Sequence, residues 1–430
     1  MSKFQIILTG VFVFCIVIGV IAFATFKSSN TSTQLPTVTI WGTLPSSTIT
    51  EMVNQLNQTR ASALSINYVQ IPAVDFRRQF IEELANGRGP DAILVPQQYI
   101  LGLVDKVIEI PNTALSQRAY QDTFIGQSDL YITQTGFTAI PFLVDPMVMY
   151  WNRTMFTNAG IAKYPVYWDE FANIGKKIDI KDINSNIRRS SIAMGEFANI
   201  DHAREILSTL FLQAGNPVTL YGSAGIQSGL SDSSYSGSRT STPALTFFTQ
   251  FSDPRDSHYS WNRSLPSSKA SFLAGTLATY FGFASEVNEL RQKNPNIDYD
   301  VAPIPQARTG TIRTTYGNMY GLSLVKSSQN QANTYNVMRI LTAGDAMSIL
   351  SKITFLPSVR RDVIAQGSTN PYMASFLDAA LISRGWLDAD PVRSNQIFTN
   401  MVQSVTSGRL DTYTAIKNAS DELNLSLQNK

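Results

Sequence analysis

Two histidines, one cysteine and no phosphate-cradling glycine loop leave this chain of 430 residues little with which to do covalent or acid–base chemistry. His202 falls on an apparent amphipathic helix without the H-E-x-x-H spacing that puts two imidazoles on one face for zinc, and His258 falls in a polar loop. A surface or capping role is the plainer reading of both. No G-x-S-x-G elbow and no G-x-x-x-x-G-K-[ST] loop occurs. Ser323 to Lys326 matches S-x-x-K, but the companion motifs are missing, and in a strand residues three apart point to opposite faces. No spacing marks a pair of carboxylates for glycoside hydrolysis. The residues argue for a protein that is not an enzyme and holds neither metal nor cofactor.

What remains is recognition chemistry at strand ends. In open α/β sheets ligands sit in the crevice beyond the carboxyl ends of the strands. Trp41 closes the first predicted strand, just before Gly42, and Gln97 and Gln98 follow the third. Asp145 interrupts the apolar stretch Ile140 to Tyr150, an unusual place for a carboxylate. Tyr280, Phe281 and Phe283 surround Gly282 at the end of another strand. Sugars offer flat C–H faces on which aromatic rings stack, and hydroxyls that donate to carboxylates and amides. Each residue has a competing reading: core packing for Trp41 and Phe281, a hinge or loop cap for Asp145. Trp261 and Trp386 are isolated aromatics in polar loops, and Arg393 lies between Pro and Ser turn signals where a helix could simply begin.

The elements that must position these residues follow from periodicity. Thr37 to Trp41 reads as a strand, Thr48 to Gln58 as a helix, Ile66 to Ile71 as a strand, Asp75 to Ala85 as a helix closed by Gly87, and Ala92 to Val95 as a strand. Such alternation predicts an α/β protein with a mostly parallel sheet and helices on both faces. Downstream, Thr138 to Tyr150 reads as a β-rich segment broken by Pro141 and Pro146, and Trp168 to Ile178 and His202 to Ala214 as helices. Leu220 to Thr242, rich in Ser and Gly, reads as a long surface excursion. Further strands are predicted at Leu277–Phe281, Tyr299–Ile304 and Tyr320–Lys326, and helices at Pro243–Phe251, Tyr335–Thr342, Ala346–Lys352 and from Ser394 onward.

The N-terminus sets the expected compartment. Phe4 to Phe26 is apolar apart from Gln5 and Thr9, long enough as a helix to cross a bilayer, with Lys3 before it holding the N-terminus inside. An uncleaved anchor over 1–27 is expected, with a flexible tether over 28–36 and the remainder outside the cell membrane. A signal peptide cleaved after Ala24 is the alternative, since Ala22-Phe23-Ala24 fits the small-x-small cleavage pattern, although secretory apolar regions are commonly shorter than this run. Lipid attachment fits poorly, because Cys15 lies mid-run behind bulky Phe14. Beyond Cys15 no disulfide or thiolate site is available. A formal net charge of +2, evenly spread, gives no groove for nucleic acid.

Several segments, in order, resemble extracellular solute-binding protein family 1, the maltose-binding-like receptors of ABC importers. Thr37 to Gly42 resembles the family's first strand, and Gly87 to Val95 its G-x-x-P-D-hydrophobic signature. Gly136 to Asn152, then Met155-Phe156, Ala159-Gly160 and Tyr167 to Phe171, carries the most specific match. Phe272 to Gly282, Asp300 to Pro305, Gly317 to Lys326 and Phe355 to Pro357 complete the series. The resemblance implies a two-lobed fold of the periplasmic-binding-protein type II, with hinge crossings. The first lobe would take 37–143 and the return segment 316–365, the second 144–315 and the C-terminal helices 366–430. By position Asp145 is similar to the family's acidic ligand contact, and Phe281 and Phe283 to its stacking aromatic. Trp41 and Gln97 would flank the cleft, Tyr316 would lie at the return crossing, and Arg393 and Asn395 would fall near a further contact. The implied function is capture of a small solute, a sugar or oligosaccharide above all, for ABC permease subunits. A binder of another solute, or an anchored sensor or adhesin on the same fold, is the alternative.

Overall fold

The computed structural model of the protein describes residues 36–60, 63–222, 225–231, 241–310 and 312–428. The anchor expected over 1–27 and all but the last residue of the tether lie outside them. Among the described residues no helix is long and apolar enough to cross a membrane.

The first third folds as its periodicity predicts. Strand β1 (Val38–Gly42) leads into helix α1 (Ser46–Thr59), which buries Ile49, Met52 and Leu56, one per turn of a single face. Strand β2 (Ile66–Gln70) and helix α2 (Ala73–Ala85) follow. Phe76 and Phe80, four apart, stack at 5.9 Å beneath α2. Gly87, with φ +70°, takes the left-handed turn that ends it. Strand β3 (Ala92–Pro96) is buried throughout, as a strand covered on both faces must be. β1 lies parallel between β2 and β3.

From there the sheet departs from the expected parallel arrangement. Strand β4 (Ile140–Asn152) runs unbroken for 13 buried residues. Helix α3 (Ala203–Gln213), strands β5 (Thr279–Phe283) and β6 (Tyr299–Ala302), and strand β7 (Thr315–Val325) come next. Helices α4 (Gly344–Thr354), α5 (Pro371–Ile382), α6 (Pro391–Thr406) and α7 (Thr412–Gln428) complete the chain. The sheet order is β5-β4-β7-β3-β1-β2, with β6 also on β4. β7 is antiparallel to both β3 and β4, and β5 and β6 are antiparallel to β4. The sheet is therefore mixed.

The two prolines explain why β4 survives. Its first half, Ile140 to Pro146, pairs with β7; its second, Met147 to Asn152, pairs with β5 and β6. Pro146 stands where the partner changes, so its missing N–H falls between two ladders. Pro141 stands beside a register shift at Tyr320/Gly321. One strand thus joins two sheet regions, the lobes, with β7 beside it at the junction.

Part of the Ser/Gly-rich excursion lies among the described residues. Thr219–Gly222 and Gly225–Ser228 form an antiparallel hairpin, turning at Gly225 with φ +109°. Asn424 of α7 accepts the Ser228 N–H at 2.8 Å and holds the hairpin down. Most apolar side chains join one core running through both lobes. A smaller separate cluster packs Leu101 against Leu387, Ala389 and Leu427, with Leu130 and Ile226 alongside.

The junction is tightest at Gly317, opposite Pro146. Its carbonyl accepts from Gln97 Nε2 at 3.0 Å and from Gln127 Nε2 at 2.6 Å. A Cβ on Gly317 would collide with Gln127 Oε1 and lie 2.9 Å from Ser383 Cβ. Gly317→Ala should cost about 2 kcal/mol by overpacking, read as a lower urea midpoint; an unchanged midpoint would refute this close contact.

Candidate functional site

Around Gly317 the carboxyl ends of β1 and β3 face β4, β5 and the N-terminus of α3 across a seam between the lobes. The nearest wall is glutamine. Gln97, fully buried, donates to the Tyr316 hydroxyl at 3.2 Å and accepts from Gln127 Nε2 at 2.7 Å. Tyr316 is itself buried, and burial pushes its hydroxyl well above the usual phenol range. Gln98, one residue on, accepts from Arg204 Nη2 at 3.0 Å. That bond runs from the carboxyl end of β3 to the N-terminus of α3.

Arg204 gathers charge at this end of the seam. Its side chain is only 12 % exposed and contacts Glu205 at 2.8 Å and Asp388 at 3.7 Å. It also donates to the Pro391 carbonyl at 3.3 Å, with the Trp386 ring 5.8 Å away. Burial disfavours its charge, but Glu205, Tyr316 and Asp388 outweigh that and raise it further. Asp388 is pushed up to about 6 by burial, against the pull of Arg204 and of the Ser394 hydroxyl.

His202 anchors the middle of the seam. It caps α3 in the left-handed region, φ +60°, a strain that an ordinary side chain keeps only when its surroundings hold it there. Its ring meets Phe283 edge-on at 4.9 Å, and Phe283 in turn lies 6.2 Å from Tyr316. His202 Nε2 stands 2.7 Å from Glu286 Oε1, which also accepts the Phe283 N–H at 2.8 Å. Glu286 Oε2 accepts from the Tyr280 hydroxyl and from Lys269, both at 2.7 Å. Burial works against the Glu286 charge, yet His202 and Lys269 hold the carboxyl down at about 2. His202 is raised in exchange: burial would lower it, but Glu286 prevails.

Asp145 lies on β4 one residue before the partner change, opposite Asn318 of β7. It is 8 % exposed, and its Oδ1 accepts the Ser285 N–H at 3.0 Å. Among the described residues no Lys, Arg or His side chain comes within 4.0 Å of it. Burial pushes it up to about 7, opposed by the Ser285 hydrogen bonds, with the Glu286 charge adding and His202 subtracting.

The structure thus brings Gln97, Gln98, Asp145, Phe283 and Tyr316 to one seam. Trp41, half-buried, shares the carboxyl edge of β1 and β3 beside them, in register with Ile93. Phe281 is not brought there: it is packed edge-on against Trp168 at 5.3 Å and Phe171 at 6.4 Å in the hydrophobic core. Arg393 turns to Glu422 at 2.6 Å on the exposed side of α6, and Asn395 is exposed on the same helix. The weaker aromatic candidates are core: Trp261 donates to Asn199, and Trp386 stacks on Phe398. Sequence reasoning passed over Arg204, Glu205, Glu286 and Asp388, and read His202 only as a cap or surface residue. The available signal was the adjacent pair Arg204-Glu205 opening an otherwise apolar helix. Among the described residues no group of His, Cys, Asp and Glu is arranged to hold a metal ion.

Residues 42–343 match the sequence profile of bacterial extracellular solute-binding proteins. The chain belongs to that family. A putative binding protein of Brucella abortus is 20 % identical over 396 residues, 86 % of this chain and 87 % of the relative. Among solved structures, this solute-binding protein superposes on the cyclic α-maltosyl-1,6-maltose binding protein of Arthrobacter globiformis with a TM-score of 0.73. Identity there is 15 %, over 92 % of this chain and 99 % of that one. An ABC transporter solute-binding protein of Thermotoga lettingae, bound with α-D-tagatose, gives 0.65 at 17 % identity, over 91 % and 99 %. The fold is two-lobed α/β, as these likenesses and the seam agree.

The seam's electrostatics generate a pH test. Asp145 in the native state holds its proton up to about 7, whereas an unfolded aspartate loses it near ~4. The native state therefore binds more protons between those values, and the stability that Asp145 contributes is lost as pH rises through 7. Asp145→Asn should stabilise the protein by on the order of 2 kcal/mol at pH 8, each displaced unit being worth about 1.4 kcal/mol less solvent relaxation. The advantage should fade towards pH 5 and be gone near pH 4. Denaturant titrations of both proteins across that range decide it, and a pH-independent difference would refute it.

Proposed function

We propose that this protein is the extracytoplasmic solute receptor of an ABC importer and that it captures a sugar or oligosaccharide in the seam between its lobes. The observation that carries this reading is Asp145: a carboxylate in the strand joining the lobes, with Phe283 and Tyr316 nearby and, among the described residues, no cation paired with it. A carboxylate so placed accepts hydroxyl hydrogen bonds, and an aromatic edge beside it suits a pyranose face. Several structural relatives are described with oligosaccharides, among them a cyclo/maltodextrin-binding protein with maltotetraose and a protein with mannobiose bound.

On this reading Asp145, Phe283, Trp41 and Gln98 contact the solute, while Gln97 and Tyr316 build the wall behind them. Phe281, Arg393 and Asn395 then support the lobe rather than the ligand, since their side chains are engaged elsewhere or face away. The lobes follow the chain as 37–143 with 316–365, and 144–315 with 366–430. Support comes from the partner change at Pro146 and from the pairing of Ser383–Arg384 with Thr315–Tyr316, which adds a third strand to the junction. The apolar run over 1–27 anchors the receptor in the cell membrane, with the lobes outside. Solute bridging both lobes stabilises the closed arrangement, which docks on the permease.

Thermal-shift and tryptophan-fluorescence titrations with maltotetraose, mannobiose and D-tagatose test the reading. A true ligand at 100 times its Kd should add about 2.7 kcal/mol of stability. Asp145→Ala should weaken that ligand by about tenfold to a hundredfold, the worth of a hydrogen bond to a charged group. A folded sample unmoved by every sugar counts against the function. Undiminished affinity in Asp145→Ala counts against the site alone.

A further inference from the structure

Asp145 is held from both lobes at once. Ser285, from the second lobe, supplies its one backbone donor, and Asn318 of β7 stands opposite it at the junction. The ionisable groups facing it are Glu286 and His202 on the second-lobe side, Tyr320 on β7, and Tyr150 on its own strand, with Lys269 behind Glu286. None of these neutralises it. Lys269 and His202 are both committed to Glu286, at 2.7 Å each, and Tyr150 donates its hydroxyl to the Phe283 carbonyl at 2.7 Å. Tyr320 is itself raised to about 12 by burial, with Asp145 adding.

The closed seam is held by modest forces nearby. Among them are the Arg204–Gln98 hydrogen bond, the Tyr316 N–H donated to Thr209 Oγ1 at 3.1 Å, and the small cluster of Leu101 with Leu387, Ala389 and Leu427. A carboxylate enclosed with only Ser285 to donate to it, and no counter-ion among the described residues, is favoured there as the neutral acid. Ionised, it gains free energy whenever the lobes part and water reaches it.

We propose that ionisation of Asp145 is a switch on lobe closure: the neutral acid keeps the seam shut, the carboxylate opens it, and a hydroxyl-bearing solute closes it again by replacing water. Only the last clause rests on the function proposed above. The crossover falls near neutrality, because burial has brought Asp145 to about 7. A receptor so built is shut in acid and stands open at mildly alkaline pH.

Hydrogen–deuterium exchange on the full-length protein in detergent, corrected for the intrinsic pH dependence of amide exchange, reads the switch without any sugar. Peptides covering Phe283–Glu286, Leu101–Lys106 and Leu387–Arg393 should lose at least tenfold in protection between pH 5.5 and pH 8.5, while the α1 and α2 peptides hold theirs. Asp145→Asn, whose side-chain oxygen can still accept the Ser285 N–H, should stay protected at both pH values. His202→Gln should still respond, at a somewhat higher pH, because the imidazolium charge that favours the Asp145 carboxylate is gone. Equal protection of the wild-type seam at both pH values overturns the proposal. So does a response that survives in Asp145→Asn or vanishes in His202→Gln, either of which would assign it elsewhere. Because no solute enters the measurement, failure of a sugar screen does not bear on its outcome.

Discussion

The antiparallel pairing of β4 with β7 is the constraint on which the rest of the molecule depends. β4 pairs with β7 over its first half and with β5 and β6 over its second, so the ladder must be continuous and yet contain the change of partner between the two sheet regions. The chain meets both demands by putting Pro146 at the change of partner and Gly317 opposite it. Proline gives up a donor that no ladder could have used there. Glycine lets two glutamine amides reach one carbonyl. Gln97 and Gln127 thereby tie the end of β3 and the 126–131 turn to the crossing strand, and fix the wall of the seam before any side chain faces it.

Charge along the seam divides into settled and unsettled parts. Glu286 has Tyr280, Lys269, His202 and a backbone N–H around it, so its burial is compensated and its ionisation fixed. Arg204 is equally settled by Glu205 and Asp388, with a carbonyl besides. Asp145 is the exception, and its isolation follows from the first group: the cations that could have served it are spent on Glu286. A polar group left in that condition inside a protein invites an explanation beyond stability.

The local half of this fold was legible in the sequence, and the non-local half was not. Ile49, Met52 and Leu56, or Phe76 and Phe80, announce helices because spacing along the chain is all a helix needs. The alternation through β1, β2 and β3 was equally plain. Pro141 and Pro146 misled because whether a proline breaks a strand depends on which partner lies opposite, and the partners lie more than 130 residues away. The same blindness governs the site. Asp145 stood out because it is the wrong chemistry for its stretch, and Phe283 because it follows Gly282 at a strand end. Phe281, two residues earlier, gave the same signal and is packed among Trp168 and Phe171. Glu286 gave none, and Arg204 only its place beside Glu205 at a helix start, where a charged residue is ordinarily solvated; only the residues across the seam make Arg204 a bridge.

The energetic scale of the seam suits its proposed work. Parting the lobes would expose apolar side chains such as Leu101 and Leu387 and break hydrogen bonds across the gap, Arg204 to Gln98 and the Tyr316 N–H to Thr209 among them, each worth about 1 kcal/mol net. Ionising an enclosed carboxylate costs a similar amount, since each displaced pKa unit is about 1.4 kcal/mol. Two opposing terms of that size leave the arrangements within reach of each other. A solute of micromolar affinity brings about 8 kcal/mol, ample to decide between them so long as it interacts differently with the two. Contact with both lobes supplies that difference. A carboxylate in the connecting strand supplies it most directly, because the hydroxyl that satisfies its charge in the closed seam replaces the water that would otherwise reward opening.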